Sequence, residues 1–109
     1  MRRGAPLTLC AALVALAACG AERSGASAEE LWQAECSRCH GQDGHGTRAL
    51  QRLEPGLDLS RSPMVSKRDR RLVYQRIANG YDTMPGYSHK LPQGDIELLV
   101  EFVERFATR

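Results

Sequence analysis

With 109 residues, 42% of them hydrophobic and 26% charged, the chain has room for one small domain and no more. Its 15 basic and 13 acidic residues give a formal charge of +2, and no basic stripe with interleaved aromatics accompanies it, so the electrostatic footprint of a nucleic-acid binder is absent. No Ser/His/Asp set, paired-carboxylate motif or glycine-rich phosphate loop is found, which leaves hydrolytic and phosphoryl-transfer chemistry without their parts.

The chain begins with positive charge at Met1-Arg2-Arg3, and an apolar run extends from Leu7 to Ala18. That run falls short of the roughly 20 residues that span a bilayer, and it reads as an export signal over residues 1–18. Its end, Leu16-Ala17-Ala18-Cys19-Gly20, resembles the lipobox of bacterial lipoproteins, which implies that Cys19 is acylated and opens the mature chain. The alternative is an ordinary signal peptide that happens to end near a cysteine, leaving Cys19 a free thiol in an oxidising space. Losing Arg2 and Arg3 leaves 13 basic residues against 13 acidic ones in a mature chain of 91 residues. Such a chain is formally neutral and small enough for its apolar core to be marginal. Residues 19–27 are small and polar, with no apolar period, and predict a flexible tether.

Ser27 and Glu30 form an S-x-x-E capping box, which predicts a helix that begins there and runs into Cys36-Ser37-Arg38-Cys39-His40. The pattern C-x-x-C-H is the attachment signal of a c-type haem. Thiols at i and i+3 face the same way on one helical turn, so each can form a thioether to one of two vinyl groups. The next residue then brings an imidazole beneath the iron as its proximal ligand. Taken alone, C-x-x-C also suits a thioredoxin-type redox pair or half of a zinc site. The first needs βαβ patterning and the second needs another ligand pair at metal spacing, and the chain has neither. The four cysteines are then accounted for: Cys10 leaves with the signal, Cys19 takes lipid, and Cys36 and Cys39 take haem. No disulfide is expected.

Trp32, the one tryptophan, is expected to pack against the last helix. Gly41, Gly44 and Gly46 predict a tight loop, with His45 in it as a solvated residue. Thr47 to Leu53 predicts a short helix with Leu50 and Leu53 turned inward. Ser66 and Asp69 mark the next start, and Leu72, Val73 and Ile77 form the stripe of a helix ended by Asn79-Gly80. Around Asp69 stand Lys67, Arg68, Arg70 and Arg71, either a solvated polar face or a docking patch for an acidic partner. Asp95, Glu97, Glu101 and Glu104 load the last helix with acid, and the two groups together predict a charge dipole able to orient an approach. Pro92 suits the first turn of that helix. Ile96, Leu99, Val100, Val103 and Phe106 give it one apolar face, and Leu98 and Phe102 a second line crossing the first helix near Trp32. There is no internal repeat and no strand pattern of useful length.

Cys36 to His40, continued as Gly41-Gln42-Asp43-Gly44-His45-Gly46, resembles the haem-binding segment of the small class I cytochromes c. Gly80-Tyr81-Asp82-Thr83-Met84-Pro85-Gly86-Tyr87 resembles the distal-ligand loop of that family, with His40 and Met84 44 positions apart. A terminal amphipathic helix follows, so the resemblance covers residues 28–109. It implies an all-α cytochrome c fold, three to four short helices wrapped around one covalently attached haem c. Met84 is then the distal iron ligand opposite His40, with Met64 and His89 as the alternatives. A soft thioether suits ferrous iron, and a histidine–methionine pair raises the reduction potential. The resemblance also implies that the Pro55 backbone carbonyl accepts a hydrogen bond from the other ring nitrogen of His40. Tyr81 and Tyr87 are expected to line the pocket or reach a propionate.

The expected function is one-electron transfer and not enzymatic catalysis, by a monomer exported to the periplasmic side of a bacterial membrane and anchored there by lipid. Its partners are expected to be redox proteins that donate and accept the electron. Two other classes stay open: a five-coordinate haem domain that binds a small gas, and a fixed haem subunit of a larger respiratory complex.

Overall fold

The computed structural model describes residues 20–107. The segment 1–18 expected as an export signal and Cys19, the expected lipidation residue, lie outside the described residues. Within them every regular element is helical, and the one pairing of extended backbone is an isolated bridge between Tyr81 and Met84.

Helix α1 covers residues 28–40 in three consecutive pieces: Ala28–Leu31, a π-helical turn over Trp32–Cys36, and Ser37–His40. The capping box begins it as expected. Ser27 Oγ accepts from the Glu30 amide at 3.2 Å, and the Glu30 carboxylate accepts from the Ser27 amide at 2.8 Å. A π turn inserts one residue into the helical register and re-aims the side chains after it, here Cys36, Cys39 and His40. Two carbonyls of this stretch receive hydroxyl groups, that of Gln33 from Ser37 at 3.1 Å and that of Glu35 from Tyr87 at 2.9 Å.

Helix α2 is the single turn Arg48–Gln51. The helix expected over Thr47 to Leu53 therefore stops short, and Leu53, expected to point inward, is 76% exposed. It falls in the turn beyond Gln51, where the helical stripe no longer governs which way a side chain points. The turns Pro55–Leu57 and Leu59–Arg61 lead into α3, Pro63–Ser66. Asp69 alone caps α4, Arg70–Asn79, by accepting from the Leu72 amide at 3.0 Å. Ser66, read as part of that start signal, belongs to the preceding turn and donates to the Pro63 carbonyl.

The core forms where α1, α4 and α5 (Gln93–Val103) meet. Leu31 and Trp32 pack there with Val65, Val73, Ile77, Ile96, Leu99, Val100, Phe102 and Val103, all buried. Trp32 stacks at 5.3 Å from Phe102 and 5.0 Å from Phe106, the packing against the last helix read from the sequence. The charges are less segregated than expected. Arg68 and Arg70 both reach Glu104, at 3.3 and 3.0 Å, and this joins the basic cluster to the acidic helix. The predicted dipole is weaker for it, while Lys67 and Arg71 remain exposed.

The tether expected over residues 19–27 is corrected from Glu22 onward. The Gly94 amide donates to the Glu22 carbonyl at 2.8 Å, and the fully buried carboxylate of Asp95 accepts from the Ser24 amide at 3.0 Å and from the Ser24 hydroxyl. Pro92 precedes α5 and offers no side-chain cap, so the strap satisfies a first-turn donor that a helix leaves without an intrahelical partner. The approach is close enough to require glycine, because a Cβ on Gly94 would stand 2.5 Å from both the Glu22 carbonyl oxygen and Arg23 Cγ. Gly94→Ala pushes the strap off α5. Its expected cost is about 1–3 kcal/mol, the usual penalty for overfilling a packed site, read as a lower urea midpoint of the haem-loaded domain.

Candidate functional site

The last turn of α1 carries three of the expected site residues. Cys36 is half-buried against the core and Cys39 is exposed, and no disulfide joins them. Burial pushes the Cys36 thiol up to about 12, with Glu35 and Cys39 adding to the effect. A thiol in this position stays protonated, and converting it to a thioether removes the titration altogether.

His40 Nδ1 lies 2.8 Å from the Leu57 carbonyl. A carbonyl only accepts, so Nδ1 carries the proton, and Nε2 keeps the lone pair that an iron ligand needs. The expected bond exists, but its acceptor is Leu57 and not Pro55. The turn Pro55–Leu57 carries the chain past His40 before a carbonyl comes into line. The surrounding wall is held by backbone: Gly46 donates to the His40 carbonyl at 2.7 Å, and Leu59 to the Gly44 carbonyl at 2.7 Å. Trp32 Nε1 donates to the Gly41 carbonyl at 3.1 Å and fixes the exit from α1.

Met84 sits on the loop after α4. Tyr81 and Met84 exchange both backbone hydrogen bonds, at 3.0 and 2.9 Å, across the two-residue turn Asp82-Thr83. Asp82 adopts φ +51°, a left-handed conformation that aspartate tolerates better than most residues. Gly80 has φ +75°, and a Cβ there would stand 2.5 Å from the Met84 carbonyl oxygen, so the loop can fold back this tightly only on glycine. Past the turn, Tyr87 and Ser88 donate to the Ile77 and Ala78 carbonyls of α4 at 2.9 and 3.0 Å. Met84 and Tyr87 are half-buried against the same core as Cys36.

The loop is also tied to α1. Tyr87 Oη donates to the Glu35 carbonyl at 2.9 Å, and Lys90 Nζ reaches the Glu35 carboxylate at 2.8 Å. Burial holds the Tyr87 phenol above its ordinary pKa, so it remains a donor at neutral pH. Neither tie was visible in the sequence. Tyr81, expected in the pocket with Tyr87, is 63% exposed and lies beneath the Arg76 guanidinium, 3.5 Å from ring centroid to Cζ.

The alternative ligands are placed elsewhere. Met64 lines a small hollow with Val65, Val73, Val100 and Val103, and His89 is exposed. His45, expected as a solvated loop residue, pairs with Asp58 at 3.1 Å. Among the described residues no three His, Cys, Asp or Glu side chains gather as a metal site of their own. Among the described residues one buried side-chain donor is left over. Arg76 Nε is buried without an acceptor, at a cost of about 1–3 kcal/mol for such a group. Arg76 sits in the last turn of α4, just before the Met84 loop. A haem fits these residues: two thiols for its vinyl groups, an imidazole whose Nε2 is left free by the bond from Nδ1, and an arginine whose unpaired Nε suits a carboxylate.

Residues 23–103 match the family model described as cytochrome c oxidase, cbb3-type, subunit III. The chain belongs to that family. It is accordingly a small monohaem c-type cytochrome, and its cofactor is covalently bound haem c. A solved structure described as "KustC0563 c-type cytochrome" is similar in fold, with a TM-score of 0.63 at 24% identity, over 76% of this chain and 100% of that one. No curated protein matches. Cytochromes of this kind serve electron transfer and are generally exported. Among the described residues no helix is long and apolar enough to cross a membrane.

Proposed function

We propose that this cytochrome passes single electrons at the bacterial cell envelope, with its haem iron held between His40 and Met84 and its domain anchored through lipid on Cys19. The supporting observation is the tie between the Met84 loop and α1, which mounts both candidate axial ligands on one frame. Bound haem supplies an iron that alternates between ferric and ferrous. The chain's part is to hold that iron still. The Leu57 carbonyl orients His40 and makes it a stronger ligand, and the glycine-framed turn confines Met84. A site whose ligands barely move on reduction exchanges electrons quickly, and filled axial positions keep other ligands away.

The pinned strap changes how such an anchor works. Between Cys19 and the first fastened residue, Glu22, the free chain reaches only about 10 Å. The domain is held close to the lipid surface and does not swing on a long leash. Redox partners must therefore come to the membrane, and the exposed Lys67 and Arg71 favour an acidic one.

The matched family's description favours a second reading, a fixed subunit of a terminal oxidase or similar complex. One experiment addresses these points together. The full chain is expressed in a bacterium that matures cytochromes c, fractionated, and examined by voltammetry. Wild type is expected in the membrane fraction, released by detergent, with one reversible one-electron wave. Cys19→Ser is expected in the soluble fraction with that wave unchanged. A Cys19→Ser protein that stays in the membrane removes the anchor reading, and stoichiometric co-purification with oxidase subunits favours the fixed-subunit one.

A further inference from the structure

Among the described residues, the hydrogen bonds that cross from the Met84 loop to α1 both end on Glu35, the residue before Cys36. The other bonds of the loop, from Tyr87 and Ser88 to Ile77 and Ala78, join it to α4, the helix from which it emerges. They fold the loop back onto α4 but make no hydrogen bond to α1. Because α1 carries Cys36, Cys39 and His40, a bond that spans α1 and the loop fixes how the loop carrying Met84 sits relative to the haem-attachment turn.

The two ties are unequal. The Lys90 side chain is 55% exposed, and a surface ion pair contributes little. The Tyr87 hydroxyl is part-buried and bonds a main-chain carbonyl in the π turn, where no side-chain rotation can relax it. We propose that Tyr87 is a positioning residue for the sixth ligand: its hydroxyl, bonded to the Glu35 carbonyl, keeps the Met84 loop closed and so decides how readily a small diatomic ligand displaces the thioether. This inference rests on Met84 being that ligand. It turns the gas-binding alternative into a state that the same molecule reaches when the tie opens.

The test is a double-mutant cycle on the haem-loaded protein, read by carbon monoxide affinity of the ferrous form and by the far-red iron–methionine band of the ferric form. Tyr87→Phe keeps the ring and removes only the hydroxyl. A net hydrogen bond at the upper end of its usual worth corresponds to about tenfold in the open population, and apparent affinity follows that population. Tyr87→Phe is therefore expected to raise carbon monoxide affinity about tenfold and weaken the band, and Lys90→Met to change affinity by less than about twofold. In a Met84→Ala background, where no thioether remains to be displaced, Tyr87→Phe is expected to add nothing.

If Tyr87→Phe lowers the denaturant midpoint but leaves carbon monoxide affinity at the wild-type value, the hydroxyl is merely structural and the proposal is overturned. An equal gain in the Met84→Ala background overturns it too, because the hydroxyl then controls general access and not the thioether. A wild type that binds carbon monoxide as tightly as Met84→Ala refutes Met84 as the ligand, and the positioning role goes with it.

Discussion

In the haem-loaded protein, Met84→Ala is expected to abolish the far-red iron–methionine band, open the ferrous iron to carbon monoxide, and lower the reduction potential by on the order of 0.2 V, within the roughly 0.8 V that ligation and surroundings span. A neutral, polarisable sulfur favours the ferrous state. Alanine leaves the position to water or a stray base, both of which favour ferric iron more. The protein should still contain haem and remain folded, because the thioethers at Cys36 and Cys39 and the imidazole of His40 do not depend on the loop. The structure makes replacement by another methionine unfavourable, since Met64 is packed among Val65, Val73, Val100 and Val103. Paired oxidised and reduced absorption spectra with voltammetry decide the matter. A band and potential unchanged in the variant would place the sixth ligand elsewhere.

The second large effect concerns folding. A Cys36→Ala, Cys39→Ala double variant, matured without covalent haem, is expected to lose most of its helical circular dichroism at neutral pH and room temperature. Domains of this size hold about 5–15 kcal/mol of stability. The core where α1, α4 and α5 meet buries one side of each helix. Around the haem slot, however, Cys36, Met84 and Tyr87 are only half-covered, and Arg76 Nε is buried without a partner. Covalent haem would give the first set an apolar disc to pack against and could offer the second a carboxylate. Without it, exposed apolar surface and an unsatisfied donor weigh against a core built on few large side chains, chiefly Trp32, Ile96, Leu99 and Phe102. Native-like helical signal from the double variant would show instead that the helical core suffices.

Much of the site was legible as short-range pattern. C-x-x-C-H is a local arrangement, three side chains on one helical turn, so no distant contact is needed to recognise it. The capping box at Ser27 and Glu30 and the apolar period of α5 are local too, and both appear in the fold as read. The Met84 loop was recognised by its resemblance to the family's distal-ligand segment, and the structure adds the backbone reason for its glycines and Asp82, which adopt left-handed or close-packed conformations there.

The other features depend on which distant residues the fold brings together. His40 meets the Leu57 carbonyl, not that of Pro55, because main-chain acceptors leave no mark on residue identity and only the path of the turn selects one. Leu53 reads as apolar and inward until a helix ending at Gln51 leaves it outside. Ser24 and Asp95 are 71 residues apart, and each looked like an ordinary tether or first-turn residue. Their bond fastens a segment that composition alone describes as loose. Tyr87 and Glu35, 52 residues apart, are joined because the π turn presents a carbonyl to a loop whose own backbone is folded onto α4. The sequence by itself determined the cofactor and where it attaches, since covalent chemistry and helical periodicity act over a few residues. Only the tertiary structure decided what orients His40, what ties the Met84 loop to α1 and that the segment from Glu22 is fastened to α5, because each depends on a backbone group or a distant partner brought into range by folding.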